Sequence, residues 1–335
     1  MRIAILGPLD QAIREPFAGG LERHTSQLAG GLAGLGNEVT LFARPESDPP
    51  AGVRLQACDN GYGRALLAIQ AGKYDIVHNN TARRWPGLLS LLLTVPVVTT
   101  LHTPPYRGLA VVAVLSRGKR RHRYVAISDF CARQWQGLTG GSQTIHNGIQ
   151  LSAWSFSPSP EQDRLVWSGR ISPEKGVEYA IDAAARSGYG LDLAGPVFDR
   201  DYFSVKVAPR LNDAIRYHGH LTGDRLAQLY GSAAAGLFTS VWDEPFGLVI
   251  PEMLACGTPI AAFDSGAARE LLDPEVGVVV AKYDVAALAE SLAEVTCKSR
   301  EKCRSYVEDR FRLEGMIASY ARLYETMLGG DASGN

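Results

Sequence analysis

Asp243-Glu244-Pro245-Phe246-Gly247-Leu248-Val249-Ile250-Pro251-Glu252-Met253-Leu254-Ala255-Cys256-Gly257-Thr258-Pro259 joins two short apolar runs, Ala235–Phe238 and Pro259–Ala262. Runs of that length, apolar throughout, read as strands buried on both faces. The segment between them reads as a turn and then a helix. Pro251 has no amide to give a helical ladder, so the helix starts only a residue or two before it, and Gly257 ends it. Strand, turn, helix and strand make the repeating unit of a parallel α/β sheet. The turn leaves the amides of Phe246, Gly247 and Leu248 near a helix N-terminus, which attracts anions. Gly247 lets the backbone come close to a phosphate. Such a phosphate would repel Glu244 and Glu252, so they read as acceptors for hydroxyls: Glu252 for a ribose diol, Glu244 for a sugar. The plainer alternative is two solvated charges.

The alternation extends both ways. Arg164–Trp167, Leu191–Ala194, Ala214–His218 and Val278–Val280 also read as strands of the C-terminal half. The N-terminal half repeats the scheme, with strands at Arg2–Leu6, Val39–Ala43, Asp75–His78, Val97–Leu101 and Tyr124–Ile127. Helices are expected there at Gly20–Leu35, Pro86–Leu93, Gly108–Arg121 and Asp129–Trp135. Between the halves, Trp154-Ser-Phe-Ser-Pro-Ser-Pro160 lacks apolar periodicity and reads as a linker. A length of 335 residues exceeds one ordinary domain. Two doubly wound α/β domains, 1–155 and 156–310, are therefore expected, with ligands beyond the carboxyl ends of their strands. Ser299–Leu328 is helical in pattern with a break near Phe311, and Asp331–Asn335 reads as a frayed tail.

Three further motifs fall after strands. Ser168-Gly169-Arg170-Ile171-Ser172-Pro173-Glu174-Lys175-Gly176 suggests a helix capped by Ser172, with Lys175 in its first turn. A cation set against the helix dipole there implies a nearby anion, and Arg170 with Lys175 could neutralise a diphosphate leaving group. The alternative is a surface Lys and an Arg paired with Glu174. Gly19-Gly20 opens a helix and permits close approach to a phosphate, although paired glycines are also ordinary turn residues. His102-Thr103-Pro104-Pro105 ends a strand, where a His is well placed for chemistry but is also a common structural residue. Asp199-Arg200-Asp201 matches the short Asp-x-Asp pattern of metal-dependent sugar transferases, but it reads as an acidic pair at a helix start.

Composition removes other classes. The 34 basic and 35 acidic residues give no basic excess for nucleic acid. Five cysteines in no Cys-x-x-Cys pair argue for reduced thiols, against zinc, and for a cytoplasmic protein. The longest apolar stretch, Leu88–Leu101, contains Pro96 and is too short to span a bilayer. The basic run Arg117–Arg123 reads as a solvated helix C-terminus; peripheral attachment to anionic lipid is the alternative, disfavoured because no apolar face of matching strength flanks the run on both sides. A nicotinamide oxidoreductase would share the fold, but its Gly-x-Gly-x-x-Gly fingerprint is missing.

These residues together resemble the retaining glycosyltransferases of family 4, which have the GT-B fold of two facing Rossmann-like domains with a cleft between them. The resemblance runs through Gly19-Gly20, His102-Thr-Pro, Val125-Ala-Ile-Ser128, His146-Asn147-Gly148, Gly169-Arg170, Lys175-Gly176 and the Glu-x7-Glu spacing of Glu244 and Glu252. It implies that Gly19 and Gly20 approach the diphosphate by their backbone, and Arg170 and Lys175 by charge. Glu244 and the Phe246–Leu248 backbone would hold the donor sugar and distal phosphate, Glu252 the ribose, and His102 the transferred sugar. The base would sit by the loops at Gly195 and His220-Leu221. His102 and Glu244 would be the catalytic pair, and the last helix, 311–328, would return to the first domain. The activity implied is front-face transfer, with retention, from a nucleotide-diphosphate sugar, a UDP-sugar on family frequency, to a hydroxyl acceptor. No metal and no cofactor are implied. A nucleotide-sugar epimerase or a non-catalytic nucleotide-sugar-binding protein of this fold are the alternatives. His24 and Asn37 depart from the commonest residues at their positions, and neither departure threatens the donor site.

Overall fold

A computed structural model describes residues 1–17, 19–58 and 61–329, without the side chains of 161 and 162; the expected tail, Asp331–Asn335, lies outside the described residues. The chain divides into two compact units, one of Met1–Asn147 with Leu313–Asn335 and one of Gly148–Arg312.

The first unit is a seven-stranded sheet of β1 (Arg2–Leu6), β2 (Glu38–Ala43), β3 (Val53–Ala57), β4 (Ile76–Asn79), β5 (Val97–Leu101), β6 (His122–Ala126) and β7 (Gln143–Thr144). Their order is β3-β2-β1-β4-β5-β6-β7, and every pairing is parallel. Helices α1 (Gly20–Gly34), α2 (Tyr62–Ala71), α3 (Arg84–Ser90), α4 (Arg107–Ser116) and α5 (Asp129–Thr139) connect them. Sequence patterning missed β3, α2 and β7. β3 is half exposed at the sheet edge, so its apolar signal is thin. Expected helix Gly108–Arg121 ends five residues early, at Ser116, because Gly118 turns the chain at φ +76°. Arg117–Arg121 of the basic run is thus a turn, and His122 and Arg123 open β6, so the run is not a helix C-terminus.

The second unit holds β8 (Glu161–Ser168), β9 (Gly190–Ala194), β10 (Ile215–Tyr217), β11 (Ala233–Phe238), β12 (Ile260–Phe263) and β13 (Gly277–Val280), ordered β10-β9-β8-β11-β12-β13 and parallel throughout. Its helices are α6 (Val177–Ser187), α7 (Arg200–Tyr202), α8 (Gly223–Ser232), α9 (Val249–Ala255), α10 (Ala268–Leu271), α11 (Val285–Val295) and α12 (Arg300–Arg310). The Ser- and Pro-rich stretch from Trp154 lies inside this unit. Trp154 stacks on Tyr230 at 5.6 Å, and the Ser157 amide bonds to the Cys256 carbonyl at 3.1 Å. Two aromatic anchors outweigh the loop-like composition around them.

The chain's final helix, α13 (Leu313–Gly329), belongs to the first unit. Its Met316, Ile317, Tyr320 and Tyr324 share a core with Leu28 and Leu32 of α1 and Ile3 and Ile5 of β1. Gly31 of α1 leaves the room that the Ile317 side chain fills. The two chain crossings between units are tied where the Ile149 amide bonds to the Phe311 carbonyl at 2.8 Å.

Candidate functional site

In each sheet the winding reverses once, between β1 and β4 in the first and between β8 and β11 in the second. Loops after those strands part in opposite directions and leave a crevice for a ligand. Arg170 and Lys175 follow β8, Glu244 follows β11, and Gly19 and Gly20 end the loop after β1, whereas His102, Gly195 and His220-Leu221 lie beyond β5, β9 and β10.

In the second unit the loop after β8 is sewn to its neighbours. The Gly169 amide bonds to the Ala194 carbonyl at 3.1 Å, Ile171 to Pro196 at 2.8 Å, and Gly195 to Gly219 at 2.9 Å. Gly195 and the exposed His220 with buried Leu221 therefore belong to adjacent loops at one end of the sheet. Arg170 lies open, its guanidinium 4.9 Å over the Phe198 ring. An open depression of about 310 Å³ adjoins it, lined by residues 172–174 and 198–201. Asp199 caps α7 by accepting the Tyr202 amide at 2.9 Å, in keeping with a helix-start role.

The Lys175 expectation needs correcting. Ser172 does not cap an α-helix; Pro173–Lys175 make one 3₁₀ turn, and α6 starts only at Val177. The buried Ser172 hydroxyl finds no partner among the described residues. Gly176, left-handed at φ +65°, breaks the chain between turn and helix. Lys175 is therefore held by a loop, and its Nζ forms an ion pair with Glu244 Oε1, with only 20% and 11% of the two side chains exposed. The anion beside the cation is thus Glu244 itself.

Several bonds hold this pair in place. The Val241 amide donates to the Glu174 carbonyl at 2.9 Å, Thr239 Oγ1 to the Gly176 carbonyl at 2.8 Å, and Ser240 Oγ to Glu244 Oε1 at 3.3 Å. From the loop after β12, the Ala267 amide bonds to the Glu244 carbonyl at 2.9 Å. Gly266, at φ +59°, lies so close to the Glu244 backbone that a Cβ there would overlap it. Sequence reasoning missed Gly266; its signal was a glycine just beyond a strand end.

Helix α9 starts two residues before Pro251, and Gly257 at φ +88° ends it. Its first bonds run from Ile250 to the Gly247 carbonyl at 3.0 Å and from Glu252 to the Leu248 carbonyl at 3.1 Å. The amides of Gly247 and Leu248 thus precede the ladder, as an anion site requires. Gly247 stands at φ +95°, a conformation that disfavours any side chain. Glu252 is buried on α9, with 4% exposed.

In the first unit Gly19 is the extended N-cap of α1 and Gly20 its first residue. His102 follows β5, half-buried, and is joined to residues whose link to it sequence reasoning did not find. Its Nε2 lies 2.7 Å from Asn80 Oδ1, beyond β4. Asn80 Nδ2 lies 2.6 Å from Thr25 Oγ1 and 3.1 Å from His24 Nδ1, both on α1. Thr25 donates its only hydroxyl proton to the Leu21 carbonyl at 2.7 Å, so it must accept from Asn80. That fixes the amide with its oxygen toward His102, which must then carry its proton on Nε2. Burial holds His102 well below the usual histidine range, with His24 and His78 adding to the effect. A neutral ring protonated on Nε2 offers Nδ1 as an acceptor, suited to a donating hydroxyl. His24, the departure from the family pattern, packs edge-on against His102 at 4.8 Å. Burial pulls His24 down to about 4 and His78 to about 3.

Residues 18–153 match the family model described as Glycosyltransferase Family 4, and residues 153–310 the model described as Glycosyl transferases group 1. Together the two matches make this chain a glycosyltransferase of the family 4 type. Glycogen synthase of Mycobacterium tuberculosis is 28% identical, over 83% of this chain and 82% of its own. Sucrose-phosphate synthase from Thermosynechococcus elongatus superposes with a TM-score of 0.81 at 21% identity, covering 98% of this chain and 99% of its own. Anabaena HepE in complex with UDP gives 0.79 at 21% identity, covering 97% and 100%. The two doubly wound units are those of a GT-B glycosyltransferase. In this transferase the residues chosen from sequence fall into two groups on the loops and helix starts that follow strands: Arg170, Lys175, Gly195, Glu244 and Glu252 in the second unit, Gly19, Gly20 and His102 in the first.

Proposed function

We propose that this glycosyltransferase moves a sugar from a UDP-sugar to a hydroxyl acceptor, with retention at the anomeric carbon and without a metal ion. The Lys175–Glu244 pair at the second reversal point carries the reading. An arriving diphosphate competes with Glu244 for Lys175 and releases the carboxylate to accept from sugar hydroxyls. Arg170, stacked on Phe198, supplies a second cation. Two cations and the amides before α9 provide the charge neutralisation that a metal supplies in other transferases. Asp199 supports the same view, since its carboxylate is engaged in capping α7.

Glu252 takes the ribose diol, and the loops at Gly195 and His220-Leu221 take the base. UDP is favoured because HepE was solved with UDP and with UDP-glucose. His102 accepts a hydroxyl of the transferred sugar through Nδ1. The acceptor oxygen attacks the anomeric carbon on the face from which the diphosphate departs. The new C–O bond forms as the old one breaks, the bonding pair leaves on the phosphate oxygen, and that oxygen takes the acceptor's proton.

Thermal stabilisation by UDP, GDP and ADP, each in excess EDTA, tests the donor assignment. A nucleotide at about 100 times its dissociation constant should add roughly 2.7 kcal/mol to stability. A shift with UDP under EDTA is expected. A shift that EDTA abolishes would overturn metal independence, and a shift with GDP or ADP alone would reassign the base.

A further inference from the structure

We propose that the outer surface of α3, α4 and the turn after α4 docks on an anionic lipid membrane. Between Asp75 and Asp129 the chain carries eight Arg or Lys residues and no Asp or Glu, although the whole chain is nearly neutral at a net −1. The same segment exposes large apolar side chains: Trp85 is 60% exposed, Leu92 77%, and Val111, Val114 and Leu115 about half. Val111 and Leu115 stand one turn apart on α4, with Val114 beside them, so the three form one stripe.

Packing brings the pieces together. Gly87 of α3 lies against Val112 of α4, and Gly108 against Arg84. Arg84 covers the Trp85 ring at 4.7 Å. Arg121 donates to the Thr94 carbonyl at 2.9 Å and so draws the basic turn to the loop that bears Leu92. The apolar stripe of α4 leads directly into Arg117–Arg123, and packing sets α3, which bears Trp85, against α4. Among the described residues Arg117, Lys119 and Arg120 show no ion pair.

An apolar patch with a tryptophan and a rim of unpaired cations fits an interface of acyl chains beneath anionic headgroups. A second copy would set cations against cations. An acidic polypeptide would match the rim and leave the apolar stripe uncovered. Among the described residues no helix is long and apolar enough to cross a membrane.

The full chain should sediment with vesicles of phosphatidylcholine and phosphatidylglycerol, and not with phosphatidylcholine alone. Binding should weaken with salt, and Trp85 should be quenched by brominated acyl chains, a signal lost in Trp85→Phe. Each exposed cation removed should cost roughly fivefold in partitioning. Lys119→Glu with Arg120→Glu should release the chain, and Leu115→Ser should weaken it at unchanged melting temperature. Equal binding to neutral vesicles, or anionic binding that survives both the charge reversal and Leu115→Ser, would overturn the proposal. Polyglutamate binding as tight as vesicle binding would reassign the face to an acidic protein. Self-association abolished by Leu115→Ser would reassign it to a second copy.

Discussion

The two units share one winding scheme but furnish their reversal points in opposite ways. The second keeps charges: Lys175 and Glu244 are largely buried, yet each compensates the other. The first keeps polar groups neutral: His24, His78 and His102 lie close together, and burial suppresses protonation of all three. A buried charge is tolerable when its partner is fixed beside it, and a buried histidine without a carboxylate remains neutral instead. The second unit is thus suited to hold an anionic leaving group, the first to offer a hydrogen-bond acceptor that does not attract phosphate.

Truncating Glu244 in the second unit or His102 in the first should give the largest effects. Glu244→Ala and His102→Ala should each lower kcat/KM by about 100- to 1000-fold. They should differ in nucleotide affinity, since Glu244→Ala frees Lys175 and should leave UDP binding as tight or tighter, while His102→Ala leaves it unchanged. Isothermal titration with UDP beside a transfer assay separates the two. Full transfer by either variant would remove that residue from the site.

A smaller effect should follow from loosening His102 without deleting it. Asn80→Ala removes one orienting hydrogen bond, worth up to about 1.5 kcal/mol, or roughly tenfold in kcat. Nitrogen-15 NMR of the wild type should show His102 protonated on Nε2 and bare on Nδ1, a signature that a merely structural asparagine would not impose. A ring protonated on Nδ1 would invert the assignment of its ligand.

The smallest effect is mild acidification. His24 and His78 are neutral in the folded chain but protonate near 6.5 once unfolded. The unfolded state then binds more protons, so stability falls as pH drops through 6.5 toward about 4 for His24 and about 3 for His78. From pH 7 to pH 6 each ring should cost about 0.7 kcal/mol. Urea unfolding across that range reads the slope, and a flat profile would mean that the rings are hydrated.

The legibility of the chain follows the same division. Both sheets could be read because buried parallel strands are continuously apolar and their helices are periodic. The exposed edge strand β3, with α2 after it, escaped because its side chains alternate too weakly to stand out from a loop. The stretch from Trp154 to Pro160 read as a linker because Ser and Pro dominate it, whereas two aromatic rings dock it.

Glu244, Glu252 and the Gly247 turn were legible without coordinates, since one strand–turn–helix segment carries them and local chain chemistry dictates its shape. Lys175 read as a cation that an anion should accompany, but that the anion is Glu244, 69 residues away, emerges only where the loops after β8 and β11 meet. That Asn80, Thr25 and His24 meet behind His102, that Gly266 backs Glu244, and that α3 packs beside the apolar stripe of α4 is written in no single local segment. Periodicity and turn residues act over a few positions, so they are written in the sequence. Burial, hydrogen-bond partners and shared faces depend on which strands end side by side, and that is decided only when the sheet is wound.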